Sequence, residues 1–154
     1  MNSKSEPTHR SESLAYLTFN LDEQRYALPI EQVVEVAVMV ALDTMPDTPP
    51  AVLGVANRHG AVLPMLDLRL VFGKPAPPLT SSTLFIVAAY NDQIVGLVVD
   101  EVNQVEYLQP HDSQRRVGSQ RYVEQIISQR DMLIQVVALA AVVDDYFARE
   151  MDAR

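Results

Sequence analysis

Short segments with the two-residue alternation of β-strands follow one another along most of the chain, and this constrains the fold more than any other feature. In the stretch 16–21 the odd positions are large and apolar and the even ones are mostly polar, a period that indicates a strand. Further strands are predicted at 25–28, 34–40, 61–68, 84–89, 94–99, 102–108, 122–127 and 132–137. Many short strands separated by turn residues predict a β-barrel or a β-sandwich.

One segment near the end has a different period. Leu139, Val142, Val143, Tyr146 and Phe147 recur at the spacing of one helix face, which predicts an amphipathic helix. We expect this helix to pack onto the barrel, with an exposed partner-binding helix as the alternative. The neighbouring acids Asp144 and Asp145 fall on its polar face and are interpreted as solvated.

The chain has 154 residues, the size of one ordinary domain. The first dozen residues contain no apolar stretch, so we expect a flexible tail at 1–12, a single domain at 13–150 and a short tail at 151–154. The longest apolar run, Val136 to Val143, has eight residues, whereas a membrane helix needs about 20. We therefore expect a cytoplasmic protein that does not insert into membranes.

Composition excludes several classes of function. The chain has no cysteine, so disulfides, thiolate zinc sites, iron–sulfur clusters and cysteine nucleophiles are excluded. Its net charge of -8 argues against nucleic-acid binding, which requires clustered basic residues. The three histidines, His9, His59 and His111, are far apart in the sequence and form no metal-binding motif. The five glycines spell no phosphate-binding loop. We therefore predict no catalytic site, no metal and no cofactor.

The segment 49–69 reads PPAVLGVANRHGAVLPMLDLR. It consists of a proline-led loop, a short apolar approach, a turn predicted at 57–60, and a strand that leaves through Asp67, Leu68 and Arg69. Pro64 within this strand predicts an edge or bulge position. Asp67 and Arg69 alternate along the strand and so share a face, which predicts a structural ion pair at the surface.

This segment strongly resembles the signature of the CheW family of chemotaxis coupling proteins, P-x-x-x-x-G-V-x-N-x-R-G-x-x-x-P-x-x-D-L-R. The matching positions are Pro49 or Pro50, Gly54, Val55, Asn57, Gly60, Pro64, Asp67, Leu68 and Arg69. The resemblance extends over about residues 14–148, through the opening hairpin, the strand 94–102 and the closing strand pair and helix.

The resemblance implies a mainly β fold of two small SH3-like, five-stranded β-barrels that share a core, with a C-terminal packing helix. It implies a non-enzymatic adaptor that couples a chemoreceptor's cytoplasmic tip to the similarly folded regulatory domain of a CheA-type histidine kinase. Such a protein would be a monomer that joins a larger membrane-associated array. By position, the partner-binding residues would be Ile30, Val33, Glu35, Gly54, Asn57, Arg58, His59 and Gly60.

Several of these residues have a second interpretation. Ile30 and Val33 suit either a partner groove or core packing. Gly54 and Gly60 would mainly permit tight turns, and Asn57 could simply bond to its own turn.

The chain departs from the family pattern at two places. Position 59, where the family has arginine, is His59, and Arg58 stands one residue earlier. The acid that the family carries near position 138 is replaced by Ala138. Histidine lacks the two-pronged donor fork of arginine, which motivates an alternative: a divergent scaffold for a pilus-motility or surface-sensing pathway with a weakened receptor contact. A third hypothesis is a β-barrel that binds a small ligand.

Overall fold

The computed structural model describes residues 13–110, 113–114 and 120–148. The strands are β1 (Leu14–Leu21), β2 (Gln24–Pro29), β3 (Val33–Val38), β4 (Val52–Arg58), β5 (Ala61–Asp67), β6 (Leu84–Tyr90), β7 (Gln93–Val99), β8 (Glu101–Leu108), β9 (Ser113–Gln114), β10 (Val123–Gln129) and β11 (Met132–Val137). The helical segments are a 3₁₀ turn (Ile30–Gln32), α1 (Leu68–Val71) and α2 (Leu139–Val143), which continues into a π-helical turn (Asp144–Ala148). The predicted tails at 1–12 and 151–154, with His9 and His111, lie outside the described residues, so the domain limits 13–150 stay a prediction.

The strands form two sheets, as the mainly β prediction requires. The first sheet has the order β8-β1-β2-β11-β10, extended by the two-residue strand β9, and the second has the order β3-β6-β7-β5-β4. The second sheet is made from one continuous stretch of chain, 33–99. The first sheet is made from strands on both sides of that stretch. The predicted pair of five-stranded, SH3-like units is confirmed.

The two sheets are built alike, although no repeat is visible in the sequence. Each contains two antiparallel hairpins joined by one parallel pair: β5 beside β7, with Met65 opposite Gly96, and β11 beside β2, with Val136 opposite Ala27. A helix follows the same strand in each unit, α1 after β5 and α2 after β11. The molecule is therefore a pseudo-repeat in which the first unit takes its β1–β2 hairpin from the start of the chain.

Buried apolar side chains form three clusters. One lies within the first unit and includes Tyr16 and Ile134, and one lies within the second unit and includes Phe85 and Met65. The largest lies between the units and draws on both sheets and on α2. Its members include Phe19, Leu21, Tyr26, Leu28, Leu66, Ile86, Leu97, Val142 and Phe147. The prediction that the two units share a core is confirmed.

The C-terminal helix packs on this shared core, as predicted. Leu139, Val142, Val143 and Phe147 are buried, and Tyr146 packs against the same cluster. The interpretation of Asp145 as simply solvated is wrong. Its carboxylate accepts hydrogen bonds from Arg121 Nε (2.7 Å) and from the Tyr122 hydroxyl (2.7 Å), because Tyr122 lies against the same side of the helix.

The segment 49–69 differs from its prediction in three respects. Residues 52–58, predicted as an approach and turn, form strand β4, and the turn is confined to His59 and Gly60. Both have positive φ, +55° and +83°, as a two-residue hairpin turn that follows the right-handed strand twist requires. Strand β5 is interior rather than an edge. Proline has no backbone N–H to donate to a neighbouring strand. Pro64 is tolerated because the hydrogen-bonded ladder between β5 and β7 covers only Met65 to Asp67.

The third difference concerns Asp67 and Arg69, which are not a surface pair on one strand. Asp67 ends β5 and accepts a hydrogen bond from the Arg69 backbone N–H, which starts the short helix α1. The two residues are only 3% and 4% exposed. Arg69 donates from Nε to Asp67 Oδ1 (2.9 Å) and from Nη2 to Asp67 Oδ2 (3.1 Å) and to the Pro77 carbonyl (3.1 Å). A buried charge is tolerated when its donors are satisfied in this way.

Candidate functional site

Glu35 and Arg58 form an ion pair across the opening of the second sheet. Glu35 lies on β3 and Arg58 on β4, the two outer strands of that sheet. Arg58 donates from Nε to Glu35 Oε2 over 2.6 Å, and its Nη2 lies 2.5 Å from Oε1. This two-pronged geometry is the strongest arrangement that a guanidinium makes with a carboxylate. The pair therefore connects the two outer strands of the sheet.

Strand alternation brings these two side chains together. On β3 the half-buried residues are Val33, Glu35 and Ala37, whereas the residues between them are exposed. On β4, Arg58 is two residues beyond the buried Ala56 and so points to the same face. The Arg58 guanidinium also lies 5.8 Å from the centre of the Phe85 ring, within the range of a cation–π contact. Both partners thus face the opening between β3 and β4.

A backbone bridge joins the same edges further along. Asp43 and Val55 exchange two N–H to carbonyl hydrogen bonds of 2.9 Å each, which attaches the segment after β3 to β4. Gly54, next to Val55, has φ of +132°, and a Cβ there would overlap the carbonyl oxygen of Asp43. The prediction that Gly54 mainly permits a tight turn is therefore wrong. It lies within a strand and permits close approach of another backbone segment.

The turn after β4 carries the remaining predicted site residues. The Gly60 N–H donates to Asn57 Oδ1 over 3.2 Å, so Asn57 does bond to its own turn. The His59 side chain is 77% exposed, and its Nε2 lies 3.6 Å from Glu35 Oε2. Glu35, Arg58 and His59 therefore form one cluster, which we call the seam cluster.

The charges of the seam cluster favour the ionised pair. The hydrogen bond from Arg58 lowers the pKa of the Glu35 carboxyl below its ordinary value, and partial burial opposes this shift less strongly. The same bond raises the pKa of Arg58. Both groups are therefore held in their charged forms. This arrangement can fix a surface for recognition, but it contains no pair of groups poised for proton transfer.

Ile30 and Val33 do not join the seam cluster. Both are half-buried and pack against the shared core, so core packing accounts for them. A role in partner binding stays a prediction for these two residues. The same holds for Gly54, which is buried in β4.

The outer face of β3 carries apolar residues that the sequence interpretation did not single out. Val34, Val36 and Val38 are exposed, with 55% and 54% of the first and last accessible to solvent. The signal was present in the sequence, because the run Val33–Val38 places its only charged residue among valines. Because side chains alternate along β3, Glu35 points inward to Arg58 and the three valines point outward. We call these three residues the valine face.

Among the described residues, no group of three or more histidine, aspartate or glutamate side chains is placed to hold a metal ion. In the same part of the chain, no helix has the length and apolar character needed to cross a membrane.

A family model for the CheW-like domain matches residues 15–147. The chain belongs to the CheW family. The chemotaxis protein CheW of Bacillus subtilis is 30% identical over 135 residues, which cover 83% of this chain and 85% of that protein. The chemotaxis protein CheW of Helicobacter pylori is 36% identical over 93 residues, covering 60% of this chain and 56% of that relative.

A solved structure agrees with this membership. The scaffolding protein TtCheW from Thermoanaerobacter tengcongensis matches with a TM-score of 0.75 and 26% identity, covering 81% of this chain and 88% of that one. The CheW family consists of adaptors, and the prediction that this chain is a chemotaxis-type signalling adaptor is confirmed.

Proposed function

We propose that this CheW-family chain binds the regulatory domain of a CheA-type histidine kinase and the cytoplasmic tip of a chemoreceptor, and so couples the two without catalysing a reaction. It would act as a cytoplasmic monomer that is recruited into membrane-associated receptor arrays. The observation that carries this proposal is the family match over residues 15–147. That match includes both units and the C-terminal helix.

The geometry supports a binding role for the second unit in particular. The seam cluster joins one side of β3 to the end of β4 and its turn, and the valine face lies on the other side of β3, so a charged and an apolar surface flank the same outer strand. Exposed apolar side chains next to fixed polar groups are typical of protein interfaces. We therefore place the partner contact at the seam cluster and the valine face.

Calorimetric titration of the full chain with the isolated regulatory domain of each CheA-type kinase in its genome tests the proposal. We expect saturable binding to one of them, and binding of receptor-tip peptide by the resulting complex. A kinase that belongs to a pilus-motility or surface-sensing operon would assign the chain to the alternative pathway. Absence of binding to every kinase domain and receptor tip, with a folded protein, would overturn the proposal.

A thermal-shift screen with metabolites and nucleotides tests the small-ligand hypothesis separately. A ligand at 100 times its dissociation constant stabilises the folded state by about 2.7 kcal/mol. One cavity, of about 830 Å³, is a groove beside β2 and β11 lined in part by Tyr26, Phe72 and Tyr122. A shift that is lost when Phe72 is changed to alanine would assign a ligand to that groove.

A further inference from the structure

We infer that Arg58 supplies from strand β4 the cation that the family pattern supplies from position 59, and that it is the residue that positions Glu35 for partner binding. This inference rests on the proposed function. It also opposes the hypothesis that the histidine at position 59 weakens the partner contact, because the carboxylate already has its arginine.

The carboxylate of Glu35 is already fully engaged by one arginine. Both oxygens of the carboxylate are engaged by Arg58, at 2.6 and 2.5 Å. A second guanidinium therefore cannot form the same two-pronged bond with this carboxylate. Changing His59 to arginine would therefore add a charge at the turn without adding a two-pronged bond.

The strand fixes the direction in which Arg58 points. The alternation of β4 turns Arg58 to the face of Ala56, where Phe85 supports its guanidinium. Only 18% of the Arg58 side chain is exposed, against 77% for His59. Arg58 is thus the more constrained of the two residues, and a constrained donor loses less conformational entropy when it holds a partner.

A side chain at position 59 also reaches Glu35. His59 Nε2 lies 3.6 Å from Glu35 Oε2, and arginine is a longer side chain than histidine. An arginine at either position can therefore hold the same carboxylate, provided that the other position does not already do so. The two positions should be interchangeable, which gives the inference its sharpest test.

The experiment compares the affinity of the kinase regulatory domain for the wild-type chain and for the variants R58L, H59R and R58L/H59R. We expect R58L to weaken binding by about tenfold or more, equivalent to about 1.4 kcal/mol. H59R should give no gain in affinity. The double variant, which moves the arginine to the family position, should recover most of the loss.

A further variant, R58L/H59Q, separates a positioning role from a merely structural one. Among the described residues, the charged groups at the seam are Glu35 from β3 and Arg58 and His59 from β4 and its turn, while β6 contributes the uncharged Phe85. In R58L the histidine is left as the partner of Glu35. R58L/H59Q removes this partner as well, so it should bind more weakly than R58L, and equal affinity of the two variants would show that His59 does not hold the carboxylate.

R121L is the matched control, because Arg121 is also paired with a carboxylate, that of Asp145 in the C-terminal π-helical turn, and neither residue belongs to the seam cluster. It should leave the affinity unchanged. Circular dichroism establishes that each variant is folded. The inference is overturned if H59R raises the affinity fivefold or more, or if R58L binds like wild type. It is also overturned if folded R58L/H59R binds no better than R58L. If the wild-type chain itself does not bind, the proposed function fails instead.

Discussion

Arg69 donates from Nη1 to Oδ1 of Asp100 over 3.2 Å, and this bond connects the second unit to the first. Asp100 joins β7 to β8, and its other oxygen accepts a 2.6 Å hydrogen bond from the backbone N–H of Asp22 in the β1–β2 turn. The Asp100 N–H in turn donates to the carbonyl of Asn20. One buried guanidinium is thus linked, through a single carboxylate, to a hairpin of the other sheet.

Loss of this guanidinium should be severe. R69M leaves the carboxylate of Asp67 buried without its partner, and breaking a buried ion pair in this manner costs about 3–5 kcal/mol. Urea denaturation of R69M should show this decrease in the free energy of unfolding. The comparison variant is E101Q, next to Asp100 but exposed, which should stay within about 0.5 kcal/mol of wild type. Similar stability of R69M and E101Q would contradict the role assigned to the buried pair.

The two glycines of the signature segment should differ in their tolerance of alanine. At Gly54, alanine meets both an unfavourable φ and the Asp43 carbonyl, so we expect a cost of at least about 3 kcal/mol. At Gly60, φ is also positive but nothing lies within 4 Å of the added Cβ, so only the backbone cost of about 1–2 kcal/mol applies. Thermal unfolding of G54A and G60A measures the difference. Equal losses would show that the contact with Asp43 is unimportant.

The seam cluster should contribute to the acid sensitivity of the fold. The folded state lowers the pKa of Glu35 from 4.5 through its bond with Arg58. A lowered carboxyl pKa stabilises the folded state above the unfolded value, and this stabilisation is lost as the pH falls through the folded value. Unfolding free energies measured at intervals below pH 7 should therefore show a component at acid pH that is absent from E35Q. R58L should show a smaller component, since the bond from Arg58 is its main cause while His59 stays beside Glu35, and an undiminished component in R58L would disprove that origin.

The valine face should matter for binding and not for folding. V36S/V38S removes apolar surface that is already exposed, so stability should stay within about 0.5 kcal/mol of wild type. Binding of the kinase domain or the receptor tip should weaken by about fivefold or more, because the apolar centre of an interface carries much of its affinity. L133S, which changes an exposed leucine on β11 of the other unit, is the matched comparison. An equal effect of L133S would show that the loss is not specific to β3.

Most of the fold followed from the alternation of apolar residues, which predicted the strands on either side of Asp22 and of Asn91, and from the helical spacing that begins at Leu139. Strand β4 was missed because a segment that starts after two prolines and contains Gly54 has the composition of a loop. Helix α1 was missed because four residues are too few to display a helical period. The burial of Asp67 and Arg69 could not be predicted, since alternation indicates which residues share a face but not what covers that face.

The candidate site was only partly predictable for a related reason. The motif pointed to Glu35, Arg58 and His59 without showing which of the two basic residues holds the carboxylate. Which residue holds the carboxylate depends on the side of β4 to which position 58 points. It also depends on the Phe85 ring next to Arg58, and Phe85 comes from β6, a strand distant in the sequence. The pseudo-repeat could not be predicted either, because corresponding positions in the two sheets, such as Gly96 and Ala27, carry different residue types.

The parallel pairing of β2 with β11 has a consequence for the order in which a nascent chain acquires structure. The second unit is contiguous and has all its strands once Val99 has left the ribosome. The hairpin of β1 and β2, although synthesised first, has no neighbour on its β2 side until residues 134–136 emerge. In the interval Tyr16 and Ala27 lack the side chains of β10 and β11 that cover them in the folded chain, Ile127, Ile134 and Val136. This hairpin is thus synthesised early but completes its pairing late. We expect chaperones that bind exposed apolar segments to bind this protein there first.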